Sequence, residues 1–255
     1  MDRFTTSDDT EIAYDLDDSA PGDAPPVVLL HGFAVSGHLN FGGPGLIDAL
    51  ADADRKTLVI DARGHGESDA PHDPARYGED RMALDVRELV DELGIDAYDV
   101  IGYSMGSVTG AILAAQDPRV RRLVLGGVGA GLVECGGLDS REMPPELIEQ
   151  AMRAPSASEA GHPLGAVWRG FADQVDADPI ALACQIASSH RTPIALDAIT
   201  ADTLVIAASN DGLANRPQTL AGAIKDAQYR VIEGDHLGVV RHPDWNPAIV
   251  DFITR

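Results

Sequence analysis

Apolar residues along this chain follow two rhythms. Short unbroken runs recur: Val27-Val28-Leu29-Leu30, Thr57-Leu58-Val59-Ile60, Val100-Ile101 with Tyr98 upstream, Arg122-Leu123-Val124-Leu125-Gly126 and Thr203-Leu204-Val205-Ile206-Ala207-Ala208. Apolar runs this short, without polar alternation, are what strands covered on both faces require. Between them, spacings of three and four take over. Met82, Val86, Leu89, Val90 and Leu93 predict a helix over 79–93, stopped by Gly94. Further helices are predicted over 46–51, over 216–225 and over 246–253. Tyr229-Arg230-Val231-Ile232 predicts one more strand. At the start of the chain, 3–6 and 11–14 flank the turn residues Ser7-Asp8-Asp9, which predicts a hairpin.

Strands alternating with helices imply crossover units, and hence a mostly parallel α/β sheet. The alternation breaks over 128–193. That stretch is interrupted by Gly and Pro, offers helical pieces near 145–153, 164–175 and 179–190, and contains no strong strand candidate. The expected organisation is therefore a core of residues 1–127 and 194–255, with 128–193 inserted as a helical cap over the sheet edge.

Charge changes the picture of partners more than of fold. The chain of 255 residues carries 41 acidic against 19 basic residues, a formal net charge of -22. Lys56 and Lys225 are the only lysines. Such a balance repels nucleic acid and anionic membrane surfaces, so neither is an expected partner. It suits a generic acidic protein or one adapted to high salt. The first nine residues carry no basic-then-apolar leader, and no run approaches a membrane span, so a cytoplasmic location is expected. Cys135 and Cys184, the only cysteines, are expected to be free thiols. Oligomeric state leaves no mark in these patterns.

Candidate chemistry starts at Gly102-Tyr103-Ser104-Met105-Gly106. An apolar run precedes it and the small-residue helical run Ala111–Ala115 follows it, ended by Asp117-Pro118. Strand before and helix after is the context that gives the G-x-S-x-G pattern meaning. Ser104 then occupies the apex of a sharp turn, at a helix N-terminus that favours developing negative charge. A serine hydroxyl needs a base, and the base an orienting acid. Asp211 directly follows the strand 203–208, and His236 sits in a Gly-containing loop after the strand 229–232. The order Ser104, Asp211, His236 is the order this architecture uses. The other histidines fit the role less well. His31 and His65 read as loop-holding groups, and His38, His72, His162, His190 and His242 lack a strand-end position after the acid. Asp235 adjoins the histidine too closely to reach its ring, Asp61 precedes the serine, and Asp139 is a reserve candidate. The backbone N–H groups of Phe33 and Met105 are the expected oxyanion donors.

These segments carry a resemblance. Leu29-Leu30-His31-Gly32-Phe33, Asp61-Ala62-Arg63-Gly64-His65-Gly66-Glu67-Ser68, Gly102-Tyr103-Ser104-Met105-Gly106, the Asp211 loop and the Asp235-His236 loop together resemble the α/β-hydrolase superfamily over essentially the whole chain. The resemblance implies an eight-stranded, mostly parallel sheet flanked by helices, with a small helical cap. The chain looks most similar to the esterase, perhydrolase and meta-cleavage-product hydrolase group, and Ser104 sets it apart from the aspartate-nucleophile branches. The implied activity is cleavage of small or medium carboxylic esters by a Ser-His-Asp triad, with no metal or organic cofactor and a small-molecule ester as partner. Two other readings stand beside it. One is carbon–carbon hydrolysis of a dienone-type substrate, for which Arg153, Arg169 and Arg191 could hold a carboxylate, although surface pairing with acids is their plainer role. The other is a ligand-binding or receptor protein on a hydrolase scaffold. The segment 37–45 departs from the pattern in being unusually Gly-rich.

Overall fold

The computed structural model describes residues 1–255. Eight strands form one sheet: β1 (Asp2–Thr5), β2 (Glu11–Asp17), β3 (Val27–Leu30), β4 (Thr57–Ile60), β5 (Tyr98–Tyr103), β6 (Val120–Gly126), β7 (Asp202–Ala208) and β8 (Gln228–Ile232). Their order across the sheet is β1-β2-β4-β3-β5-β6-β7-β8. The β1–β2 and β2–β4 pairs are antiparallel; all the others are parallel. The expected hairpin is the β1–β2 pair.

The unbroken apolar runs serve two cores at once. In a strand, successive side chains leave on opposite faces. Val28 and Leu30 join one core with Val100, Leu123, Leu125 and Val205, whereas Val27 and Leu29 join the other with Ile101, Val124 and Ile206. The first core is closed by α2 (Glu79–Glu92), α3 (Met105–Gln116) and α8 (Pro217–Ala223). The second is closed by α1 (Leu46–Asp52) and α9 (Trp245–Ile253). Each fully buried aliphatic side chain contributes roughly 1.5–3 kcal/mol, which explains why these strands tolerate no polar alternation.

Between β6 and β7 the chain makes four helices: α4 (Ala130–Glu134), α5 (Pro145–Arg153), α6 (Pro163–Gln174) and α7 (Pro179–Ala187). The last three start with proline at their first position, where its missing N–H goes unused. Asp178 caps α7 by accepting from the Ile180 and Ala181 N–H groups. Ile148, Met152, Ala172 and Leu182 of these helices bury together with Phe33 and Met105, forming a third core over the C-terminal ends of the strands. The sequence reading missed α4, which is too short to show periodicity; its Leu132 packs into the first core, below that layer. It also missed a single wide helical turn at His38–Gly42 inside the Gly-rich segment after β3.

Candidate active site

β5 ends and α3 begins around Ser104, whose backbone has φ 52° and ψ -113°. A non-glycine residue there carries strain of roughly 1–3 kcal/mol. The surroundings hold it in place. The Ser104 N–H donates to the Gly126 carbonyl at 2.8 Å, and the Ser107 hydroxyl donates to the same oxygen at 2.8 Å. Gly106 is demanded by close approach: a Cβ there would stand 1.9 Å from the Leu30 carbonyl oxygen. Gly102 is demanded likewise, by the Gly106 carbonyl at 2.4 Å.

The loops after β7 and β8 meet above this turn. Ser209 and Asn210 donate their N–H groups to Ile232 and Gly234, tying the two loops into one unit. Asp211 uses Oδ1 to accept from the Leu213 and Ala214 N–H groups at 3.0 and 3.3 Å. That leaves Oδ2 facing His236 Nδ1 at 2.7 Å. A carboxylate oxygen only accepts, so Nδ1 carries the proton and Nε2 is the basic nitrogen. Nε2 lies 3.1 Å from the Ser104 hydroxyl oxygen. The Tyr103 hydroxyl donates to the His236 carbonyl, and the two rings lie 5.3 Å apart. Burial holds the Tyr103 phenol protonated well above its usual range, assisted by the negative charges of Asp211 and Asp235.

Ser104, Asp211 and His236 are thus brought together. The two expected oxyanion donors flank them. The Phe33 N–H donates to no protein atom. Met105 is the first residue of α3, so its N–H has no acceptor within the helix. Asp139 is bound to Arg141 at 2.6 and 2.7 Å, away from His236. His31 and His65 hold loops. His31 donates from Nδ1 to the Gly32 carbonyl at 2.8 Å and accepts the Ala62 N–H on Nε2 at 2.9 Å, so it bridges the turns after β3 and β4. Burial pushes its pKa down to about 4. His65 packs 5.1 Å from it, and burial with the neighbouring imidazole pushes His65 down to about 3. Asp61 accepts from the Gly37 and Glu67 N–H groups and serves the same loops.

A cavity of about 300 Å³ opens over Ser104. Trp168, Phe171, Gln174 and Val175 roof it from α6 and the residue after it. Val35 and Leu39 wall one side, and Leu237, Val240 and Arg241 the other. Asn40 also lines it and was missed by sequence reasoning: its Oδ1 accepts the Gly32 N–H at 2.8 Å, so its amide NH2 is the end turned away from that bond. A polar residue within a Gly-rich turn was the only sign available. The three candidate arginines within 128–193 are engaged elsewhere. Arg153 pairs with Glu149, Arg169 with Asp173, and Arg191 with Glu146, and none lines the cavity. Cys135 and Cys184 are free thiols. No group of three or more His, Cys, Asp or Glu side chains is arranged to hold a metal ion, and no helix is long and apolar enough to cross a membrane.

Comparison with known proteins gives a consistent picture. The sequence model of the alpha/beta hydrolase fold matches residues 25–158. Over 121 residues the chain is 39% identical to an sn-1-specific diacylglycerol lipase of Xenopus tropicalis, a stretch covering 43% of this chain and 33% of the relative. Over 137 residues it is 35% identical to the 2-hydroxy-6-oxononadienedioate/2-hydroxy-6-oxononatrienedioate hydrolase of Cupriavidus pinatubonensis, covering 51% of this chain and 45% of the relative. The chain therefore spans less than half the length of these curated relatives. The structure of a hydrolase from Pseudomonas aeruginosa PA01 superposes with a TM-score of 0.80 at 27% identity, covering 99% of this chain and 97% of that one.

Proposed function

Because this chain belongs to the α/β-hydrolase fold family, we propose that it is a serine hydrolase cleaving carboxylic esters of small or medium size through an acyl-enzyme. The observation that carries this reading is the connected line from Asp211 Oδ2 to His236 Nδ1 at 2.7 Å and from His236 Nε2 to Ser104 Oγ at 3.1 Å, opening on a cavity. His236 Nε2 takes the Ser104 proton as Oγ attacks the ester carbonyl carbon. The oxyanion so formed is held by the Phe33 and Met105 N–H groups. As it collapses, His236 returns the proton to the departing alkoxide, releasing the alcohol. Water then gives a proton to His236, attacks the acyl carbon, and frees the acid while Ser104 recovers its proton. Asp211 keeps the imidazole in the one tautomer that can accept from Ser104 and stabilises its cationic form. In this reading the helical layer within 128–193 acts as the cap that sets which acyl group fits.

Carbon–carbon hydrolysis is less well supported, because the cap arginines that it would use for a substrate carboxylate are tied to Glu149, Asp173 and Glu146. A pure binding role predicts no turnover. The test is a series of para-nitrophenyl esters of rising acyl length, with a fluorophosphonate as a covalent probe. The expected result is hydrolysis of short and medium esters, a phosphonate adduct mapped to Ser104, and a loss of roughly 10⁴-fold or more in kcat for Ser104→Ala. Unchanged turnover in folded Ser104→Ala protein would overturn the mechanism.

A further inference from the structure

Fifteen residues line the cavity over Ser104, and none is acidic, in a chain where 41 of 255 residues are Asp or Glu. The same lining holds one permanent cation, Arg241, on the short helical turn Val239–Arg241 that follows His236. Arginines elsewhere are mostly consumed by carboxylates, as Arg55 is by Asp99, Arg63 by Asp85, and Arg216 by Glu134. Arg241 makes neither an ion pair nor a side-chain hydrogen bond, despite the abundance of acids. Its guanidinium lies beside Gly43, where even an added Cβ would be 3.9 Å from Nη2. Gly43, having no side chain, leaves the guanidinium uncovered on that face. Two further polar lining groups, Gln174 and the Asn40 amide NH2, have no protein hydrogen-bond acceptor either.

From this combination we infer that Arg241 forms an anion subsite, and that the preferred substrates are esters carrying a carboxylate a few bonds from the scissile carbonyl. The inference rests on the serine-hydrolase reading for its chemistry, but the subsite itself is a binding claim. A guanidinium offers a planar fork of donors that matches a carboxylate. Leu39, Leu237 and Val240 line the cavity beside it, an apolar setting for the substrate chain that carries the carboxylate. Keeping every Asp and Glu out of the lining removes the internal competitors that occupy most of the other arginines. The strongly negative remainder of the molecule opposes entry of an anion, and that repulsion is screened beyond about 10 Å at 0.1 M salt. The guanidinium acts at contact range.

The experiment compares para-nitrophenyl hydrogen adipate with its neutral methyl-ketone isostere, which places the charge on the acyl side. A second pair, para-butyryloxybenzoate and para-acetylphenyl butyrate, places it on the alcohol side. In Arg241→Gln the anionic-to-neutral ratio of kcat/KM is expected to fall about tenfold for one of these pairs, as befits a charged hydrogen bond from an exposed guanidinium. Arg241→Lys is expected to recover most of the ratio, and Arg241→Glu to lower it further. The pair that responds tells which side of the ester carries the charge. The same hydrogen adipate ester is titrated calorimetrically into Ser104→Ala and Ser104→Ala/Arg241→Gln protein, where the double variant is expected to bind about tenfold more weakly. Equal losses on charged and neutral members of both pairs, or ratios and affinities that do not move, overturn the inference. Arg241-dependent binding without turnover in the parent protein would keep the subsite and remove the hydrolase reading. Turnover without Arg241 dependence would do the reverse.

Discussion

Below the cavity, Ser104, Asp211 and His236 each sit within a few residues of a strand end; above it, Trp168 and Phe171 ride on a helix that no strand positions. The lower side is held by directed bonds. Ser104 hangs from Gly126, the Asp211 loop is laced to the His236 loop, and His31 pins the turn that carries Phe33 to Ala62. On the upper side the roof side chains themselves are held by packing, with Trp168 edge-on to Phe33 at 5.9 Å and to Phe171 at 6.4 Å. Hydrogen bonds fix direction to a few tenths of an ångström, which proton transfer needs. Apolar packing fixes volume and tolerates exchange of similar shapes, which suits the proposed selection among acyl groups.

Changes on the two sides should differ in kind as well as in size. The largest effect belongs to the lower side. Asp211→Asn leaves the shape intact but lets Nδ1 be held in the wrong tautomer, so kcat should fall by about 10⁴-fold while the melting temperature stays near that of the parent. A loss below tenfold would show that the directed bond to His236 is not what orients the base.

Next in size is the response to pH, where the anchors of the two sides have opposite signs. His31 and His65, beneath, have their pKa values pushed below 6.5 by burial, so the folded state binds fewer protons than the unfolded one. Their stabilisation is present above pH 6.5 and is lost as pH falls toward 4, by about 3 kcal/mol for His31 alone. The end of the α4–α7 stretch is tied down at the N-terminus of α2, where Glu79 accepts from the Gln185 side chain at 3.1 Å and from the His190 N–H at 2.6 Å. Burial pushes Glu79 up to about 7 from 4.5, so its contribution is present below pH 4.5 and lost as pH rises through 7. Acid should therefore loosen the turns after β3 and β4, and mild alkali the stretch 185–190. Imidazole NMR signals of His31 and His65 should show no titration down to pH 5, and amide exchange over 185–190 should quicken from pH 5 to pH 8 after correction for the intrinsic rate. A midpoint near 6.5 for both imidazoles, or uniform protection of that stretch, would remove the contrast.

The smallest effect belongs to the roof. Trp168→Ala opens the cavity above Ser104, so the ratio of kcat/KM for long to short acyl esters should rise about tenfold while the phosphonate still labels Ser104. An unchanged chain-length profile would mean that the acyl group does not meet α6.

Much of the lower side could be read from local patterns. Val27–Leu30, Thr57–Ile60 and 203–208 announced buried strands because burial on both faces leaves no room for polar alternation. The tight turn at Ser104 announced itself through the glycines that Leu30 and Gly106 demand by close approach. The partners 25 and 132 positions apart in the chain could be matched because parallel strands deliver their loops to the same edge. Weaker signals were lost where elements are short. α4 spans five residues, and the turn at His38–Gly42 lies among glycines that suggest only a loop.

By itself, then, the chain specified the alternating strands and helices, the fold and the order serine, acid, histidine, since each of these rests on local periodicity or on a fixed offset from a strand end. Tertiary structure alone decided which cations face the cavity. Arg153, Arg169 and Arg191 share the composition of a carboxylate-binding set, yet each found an acid nearby, while Arg241 was left free beside Gly43. Pairing of charges depends on distances between residues brought together only by folding, and Coulomb attraction is indifferent to their separation along the chain.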